Sequence, residues 1–100
     1  IKISDIVKLC SVNPAKRFNL FPSLGKLSIG SKANIAIIDD KKMHHYTDNN
    51  QYSKCKESDV LYSNKKFKGK VSYTIVNGSI VYNGFEILER KVGQFINPNN

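Results

Sequence analysis

Few side chains in this sequence combine the residue types and spacings that catalysis or metal binding needs. The two histidines are adjacent, His44 and His45. Neighbouring residues on a strand point to opposite faces, so both rings rarely reach one metal ion. No Cys, Asp or Glu stands at a familiar ligand spacing from the pair. We therefore interpret these residues as solvated loop histidines rather than metal ligands.

Two further groups could do chemistry. Asp39 and Asp40 follow the apolar run Ile35–Ile38, and carboxylates at a strand end do occur in active sites. Asp also commonly forms the turn that ends a strand, and we favour that reading. Cys10 and Cys55 lie far apart without a C-x-x-C motif, which favours two unconnected thiols over a disulfide or a zinc pair.

The charge of the chain is strongly positive. Lys and Arg number 16 against 8 Asp and Glu, for a net charge of +8. The basic residues concentrate in the cluster Lys65–Lys70, where lysines flank Phe67. Such a cluster could follow a phosphate backbone while the ring stacks on a base. Lysines at the start of an edge strand also discourage edge-to-edge pairing, and we favour this plainer interpretation.

Length and composition limit the class of protein. A chain of 100 residues with 40% hydrophobic residues makes one domain at most and has enough apolar material for a core. The longest apolar run is far shorter than the roughly 20 residues of a membrane span. Because no apolar h-region follows the first residues, we expect no secretory signal. Because a helical apolar pattern is already under way by Ile6 and residue 1 is Ile, we expect a piece of a longer chain.

The N-terminal quarter predicts two short helices. The first covers 4–12, with Ser4 as cap and an apolar face of Ile6, Leu9 and Cys10. Asn13-Pro14 ends it and starts a second helix that turns Ala15 and Phe18 inward and ends before Pro22.

Strands are predicted from residue 25 onward. A short strand at 25–30 and a buried strand at 35–38 precede a polar excursion over 41–64. The clearest signal is a hairpin, 71–76 and 79–82, joined by Asn77-Gly78, a pair that suits a type I′ turn. Asn83-Gly84 turns the chain again, and the end from Asn97 should fray.

Several blocks in fixed order resemble cyclic amidohydrolases. Ser11–Lys16 with Phe18–Leu20 is similar to their S-x-N-P-A-K-x-F-x-L segment, and Gly25–Gly30 with Ala33–Asp39 to a G-x-I-x-x-G-x-D-A-D block. Within that superfamily, later blocks resemble dihydroorotases: Tyr52–Lys56 (S-K-x-K), Phe67–Val71 (K-G-K-V) and Thr74–Tyr82 (T-I-V-x-G-x-I-V-Y). The sequence departs from D-A-D at Lys32-Ala33-Asn34, and 43–50 match no block.

The resemblance implies an α+β fragment that is mostly β. Residues 1–24 would be terminal barrel-side helices, 25–90 the C-terminal part of a composite β-sandwich, and 91–100 a tail. In the parent, this sandwich flanks a (β/α)8 metal-dependent hydrolase barrel. The partners would be that barrel, the N-terminal sandwich strands and a small-molecule substrate; no membrane is expected, nucleic acid is disfavoured, and homo-oligomerisation stays open.

The resemblance also implies a function for the parent. Dihydroorotases interconvert N-carbamoyl-L-aspartate and L-dihydroorotate in cytoplasmic pyrimidine biosynthesis, where a metal-activated hydroxide attacks the ring amide. The zinc ligands and catalytic residues would lie upstream, so this segment would have no catalytic, cofactor-binding or metal-binding residue and no activity alone. The alternatives are another cyclic amidohydrolase (dihydropyrimidinase or allantoinase) or a small basic β-rich nucleic-acid-binding module.

Overall fold

One helical segment and a three-stranded antiparallel sheet form the fold. The computed structural model describes residues 1–47, 52–55, 61–88 and 91–99. Helix α1 spans Ile3–Val7, a π-helical turn spans Lys8–Val12, and helix α2 spans Asn13–Arg17. Strands β1 (Ile35–His45), β2 (Lys66–Val76) and β3 (Ser79–Tyr82) pair in the order β1-β2-β3. The chain is therefore mostly β. In the described ranges, no helix is long and apolar enough to cross a membrane.

The predicted break at Asn13-Pro14 is wrong, because the backbone stays helical through Asn13. Proline lacks an N–H, and in an α-helix its ring clashes with the carbonyl four residues earlier. The π-helical turn widens the backbone just before Pro14, with the Asn13 N–H donating to the Lys8 carbonyl oxygen. A wider turn of this kind relieves the proline clash without ending the helix. At the other end, the cap is Lys2 rather than Ser4, and its N–H donates to Asp5 Oδ2 at 3.2 Å.

The helical segment ends before Pro22, as predicted, in a Schellman motif. Asn19 adopts a left-handed conformation with φ 57°. The Leu20 N–H donates to the Ala15 carbonyl oxygen at 2.7 Å, and the Asn19 N–H donates to that of Lys16 at 3.3 Å. These bonds satisfy carbonyls that the helix leaves unpaired. Ala15 is buried, as expected, but Phe18 is 65% exposed, so its inward orientation was wrongly predicted.

The predicted strand at 25–30 is absent, and this segment is an irregular loop. The loop closes on itself: Ser31 Oγ donates to the Pro22 carbonyl oxygen and the Lys32 N–H donates to that of Ser23, both at 2.8 Å. Leu27 and Ile29 are 81% and 107% exposed. Alternation of apolar and polar residues favours a strand only where a partner strand can pair with it.

Strand β1 is longer and less buried than its sequence predicts. It continues past Asp40 to His45, so the first part of the expected excursion at 41–64 is strand. Its apolar residues Ile37 and Ile38 are 44% and 61% exposed, so the buried strand at 35–38 is a wrong prediction for this chain. Residues 48–51 and 56–60 of the excursion lie outside the described residues.

The predicted hairpin is confirmed. Strands β2 and β3 pair antiparallel, and Asn77 and Gly78 both have positive φ, 50° and 84°, as a type I′ turn requires. The second turn is also present: Gly84 has φ 90°, and Ile87 returns to bridge Tyr82.

The C-terminal residues are not frayed at Asn99. Residues 91–99 contain neither helix nor strand. The Asn99 N–H nevertheless donates to the Asn19 carbonyl oxygen at 2.6 Å. The Asn99 side-chain amide donates to the Phe21 carbonyl oxygen at 3.0 Å. The end of the described chain therefore lies against the turn that follows the helical segment.

Candidate functional site

The two histidines lie on strand β1 rather than on a loop. In the register of the sheet, His44 is opposite Phe67 and His45 is opposite Lys66, so the imidazoles belong to opposite faces. The His44 ring packs edge-on against Tyr46 at a centroid distance of 6.3 Å. Across the described ranges, no group of three or more His, Cys, Asp or Glu residues could hold a metal ion. The side chains of the described residues therefore do not fit a metal centre.

Asp39 is the last paired residue before a bulge inside β1, and Asp40 lies in the bulge. Asp39 is opposite Lys70 and Met43 is opposite Lys68, so three residues of β1 face one residue of β2. The Asp39 carboxylate accepts the N–H groups of Lys41 at 3.0 Å and Lys42 at 3.2 Å. The turn chemistry predicted for Asp39 is thus confirmed, although the turn interrupts the strand rather than ending it.

The two thiols are unconnected, as predicted. Cys10 and Cys55 are both free and exposed. Cys10 belongs to the π-helical turn. Cys55 lies in the segment 52–55, where its N–H donates to Ser53 Oγ at 3.0 Å. Each thiol can therefore report separately on the accessibility of its own region.

From Lys66 onward, the lysine cluster forms the first half of β2, and its side chains are divided between two faces. Lys66, Lys68 and Lys70 alternate with Phe67 along the strand, so the lysines and the ring point to opposite sides. Lys70 Nζ lies 5.4 Å from the centre of the Phe85 ring. Because phosphate contacts and base stacking from one bound strand would need both groups on one face, this arrangement disfavours the nucleic-acid interpretation.

A cluster of aromatic rings covers the Phe67 face of the β1–β2 ribbon. Tyr46, Tyr62 and Phe67 contact one another edge-on or tilted, with centroid distances of 6.1–6.4 Å. No local sequence pattern indicates this cluster, since its rings come from both ends of the polar excursion. Backbone hydrogen bonds of 2.8 Å from Tyr46 to Lys65 and from Asn64 to Tyr46 bring those two ends together.

An apolar groove of about 400 Å³ lies on the hairpin side of the sheet. Tyr52 crosses it, packing edge-on against Tyr82 at 5.9 Å and donating from its hydroxyl to the Phe85 carbonyl oxygen at 3.1 Å. Partial burial, and secondarily the nearby Tyr52, raise the pKa of Tyr82 above its usual value. The groove is lined by Tyr52, Val71, Thr74, Val81, Tyr82, Ile87 and Leu88. Its apolar lining offers packing surface and no nucleophile paired with a base.

The sequence has Lys32-Ala33-Asn34 where the resembling family has D-A-D, and hydrogen bonds accommodate this difference. Asn34 Oδ1 accepts the Asn77 N–H at 2.7 Å, and the Ala33 carbonyl oxygen accepts the Gly78 N–H at 3.0 Å. An amide oxygen accepts a hydrogen bond as a carboxylate oxygen does. Asn34 can therefore occupy this position without leaving the hairpin turn unsupported.

The most extensive feature of the molecule is apolar surface without a cover. On the helical segment, Ile3, Ile6 and Leu9 are 61%, 50% and 64% exposed. Among the described residues, Ala15 is the one buried hydrophobic side chain. A folded monomer of this mass exposes about 5,700 Å², whereas this chain exposes 8282 Å².

The radius of gyration, like the surface area, is larger than that of a compact domain of this length. The Cα radius of gyration is 15.2 Å, against about 13 Å for a compact domain of 100 residues. The excess surface, about 2,500 Å², is on the scale that obligate partners bury. The arrangement is therefore suited to packing against further protein.

Comparison with known proteins identifies the family to which this chain belongs. Residues 1–81 match the amidohydrolase family, and the chain belongs to that family. It is 36% identical over 94 residues to a dihydroorotase from Thermococcus kodakarensis, covering 93% of this chain and 22% of the relative. It is 29% identical over 87 residues to a dihydropyrimidinase from Arabidopsis thaliana, covering 87% and 16%.

The solved structures agree on the fold. An L-hydantoinase (dihydropyrimidinase) from Arthrobacter aurescens superposes with a TM-score of 0.77 at 26% identity, covering 95% of this chain and 21% of the other. The chain thus spans about a fifth of the length of these relatives. Several dihydroorotases match at 33–39% identity, so the resemblance to dihydroorotases that the sequence blocks indicated is confirmed.

Proposed function

We propose that this chain is the C-terminal structural segment of a dihydroorotase, which interconverts N-carbamoyl-L-aspartate and L-dihydroorotate in cytoplasmic pyrimidine biosynthesis. Residues 1–24 would be barrel-side helices, 25–90 part of a composite β-sandwich, and 91–100 a tail. The observation that carries the proposal is the uncovered apolar surface of a chain whose relatives are about five times longer. Sequence identities of 33–39% to several dihydroorotases support the choice of this member of the family.

In this proposal the chemistry belongs to the remainder of the parent. Zinc, as the resemblance implies, would activate water there. The described residues offer no ligand set for it. The part left to this chain is to cover apolar surface of the parent with its helical face and its sheet. Removal of water from such surfaces is a large favourable term in folding.

The direct test is substrate turnover by the full-length polypeptide that carries this segment. We expect metal-dependent ring opening of dihydroorotate, lost on treatment with a chelator, and no turnover of dihydrouracil or allantoin. The isolated 100-residue chain serves as the negative control. Turnover of dihydrouracil would instead favour a dihydropyrimidinase, and turnover of allantoin an allantoinase; relatives of both kinds match this chain. Chelator-sensitive activity of the isolated chain would contradict the structural role.

The two cysteines test the covering role independently of substrate. Cys10 is exposed here beside Leu9 on the uncovered helical face, and Cys55 is exposed in another region. In the full-length protein we expect a thiol reagent to label Cys10 at least tenfold more slowly than it labels the denatured protein, because a covered thiol is not accessible. Variants Cys55→Ser and Cys10→Ser assign each signal. Labelling of Cys10 at the denatured rate would contradict the packing proposed for the helical face.

A further inference from the structure

The described C-terminal residues lie across two parts of the fold, the end of the helical segment and the hairpin turn of the sheet. Near its start, the segment 91–99 meets the hairpin turn, where the Asn77 side-chain amide donates to the Val92 carbonyl oxygen at 3.4 Å. Further along, Gly93, Gln94 and Ile96 line a small cavity together with Asn34, Val76 and Asn77. This half of the segment therefore lies against the end of the sheet.

The other end of the segment meets the helical part. Asn99 donates twice, from its backbone to the Asn19 carbonyl oxygen at 2.6 Å and from its side chain to the Phe21 carbonyl oxygen at 3.0 Å. Asn19 is the left-handed residue of the Schellman motif. Carbonyls just beyond a helix end lack partners within the helix, so an external donor stabilises them.

We propose that residues 91–99 act as a strap that fastens the end of the helical segment to the hairpin turn of the sheet. Asn99 is the fastening residue at the helical end, and Asn77 is the fastening residue at the sheet end. The Asn77 N–H also donates to Asn34, so one turn holds both the strap and the loop that leads into β1. Release of Asn99 frees the helical end to move while the hairpin keeps its own hydrogen bonds.

A graded set of variants in the full-length polypeptide tests the strap by hydrogen exchange. Asn99→Ala removes the side-chain donor, and Asn99→Pro removes the side-chain donor and the backbone N–H together. Asn97→Ala, two residues away and exposed, is the matched control. For Asn99→Pro we expect exchange in the peptides covering 18–24 and 91–99 to rise about tenfold, since two hydrogen bonds are lost. Asn99→Ala should give a smaller rise and Asn97→Ala none.

The hairpin peptide 71–82 is the internal reference. Unchanged exchange there, with faster exchange at 18–24 and 91–99, supports the strap. Faster exchange by the same factor in all three peptides would show a general loss of stability and overturn it. No change at 18–24 in Asn99→Pro would overturn it as well. These outcomes do not depend on substrate turnover, so failure of the strap and failure of the dihydroorotase proposal are distinguishable.

Discussion

The hairpin and the helical segment are stabilised in different ways. The β2–β3 hairpin is held by local strand pairing and a type I′ turn, and two hydrogen bonds from that turn to the distant residues Ala33 and Asn34 support it. The helical segment contacts the chain along one side, where Ala15 meets the loop at Gly25, and leaves Ile3, Ile6 and Leu9 exposed. The hairpin is thus specified mainly by nearby residues. The helical segment relies instead on the close contact at Gly25, on the hydrogen bonds of Asn99 and on surface that only more protein can cover.

The close contact at Gly25 offers the largest expected effect. A Cβ at this position would lie 2.6 Å from Ala15 Cβ and 3.1 Å from the Ser11 carbonyl oxygen, and φ is +87°. Gly25→Ala should therefore lower the free energy of unfolding by about 3 kcal/mol, through overpacking added to backbone strain. The full-length protein is unfolded in urea, and proteolytic cleavage within the helical segment reports how much of that segment is unfolded. The shift of this transition measures the loss in free energy of unfolding.

Gly30 provides the matched control for Gly25. Its φ of +90° is nearly that of Gly25, but nothing lies within 4 Å of the position of a Cβ built on it. Gly30→Ala should cost about 1 kcal/mol, the strain alone. Equal losses in the two variants would show that the contact between Gly25 and Ala15 does not hold the helical segment.

The hairpin side has a corresponding pair of glycines with a smaller expected difference. A Cβ at Gly84 would lie 3.0 Å from the Ser72 carbonyl oxygen, whereas a Cβ at Gly78 would meet nothing within 4 Å. Both residues have positive φ, so each change to alanine should cost about 1 kcal/mol in strain, and Gly84→Ala about 1 kcal/mol more. Thermal unfolding of the two variants side by side measures this difference in stability. Equal stability of the two variants would show that Ser72 shifts away freely and that the close approach costs nothing.

The link between Asn34 and the hairpin turn should give a loss of about 1 kcal/mol. Asn34→Leu removes the acceptor of the Asn77 N–H, and a lost hydrogen bond of this kind costs about that much. Asn34→Asp keeps an acceptor oxygen, so it should leave stability nearly unchanged. The measurement is the urea midpoint of each variant. A loss in Asn34→Asp as large as that in Asn34→Leu would show that the hydrogen bond is not what matters there.

The smallest expected effect is a pH dependence at the groove. Partial burial and Tyr52 raise the pKa of Tyr82 above its usual value of 10.0. The folded state thus binds this proton more tightly than the unfolded state. The resulting stability is complete below the ordinary pKa and is lost as the pH rises through the higher folded value. Tyr82→Phe should flatten the decline in thermal stability above pH 10, and Tyr52→Phe should reduce it slightly. An unchanged alkaline decline in Tyr82→Phe would rule out this group as its source.

Prediction from the sequence succeeded where the determining residues are adjacent. The turn at Asn77-Gly78 needs two residues that tolerate positive φ between two β-branched runs, and all of these are neighbours in the chain. The turn chemistry of Asp39 was likewise local. At 25–30 the same reasoning failed, because alternation indicates a strand without indicating whether a partner strand exists. At Asn13-Pro14 it failed because a π-helical turn can absorb a proline.

The candidate site shows the same division. The sequence placed no catalytic group in this chain, and the resemblance placed the chemistry upstream; both stay predictions. The aromatic cluster of Tyr46, Tyr62 and Phe67 could not be foreseen, since its members come from both ends of a long excursion. The split of the lysines and Phe67 between two faces follows from strand alternation, but only once β2 is known to begin at Lys66.

The sequence by itself determined the family, the hairpin and the turns, because ordered motif blocks and local backbone preferences are properties of neighbouring residues. The tertiary structure alone decided that Asn34 supports the hairpin turn, that Asn99 lies on the helix end, and that the apolar faces lack a cover. Those facts depend on contacts between residues as many as 78 positions apart, and spacing along the chain does not encode which distant groups meet.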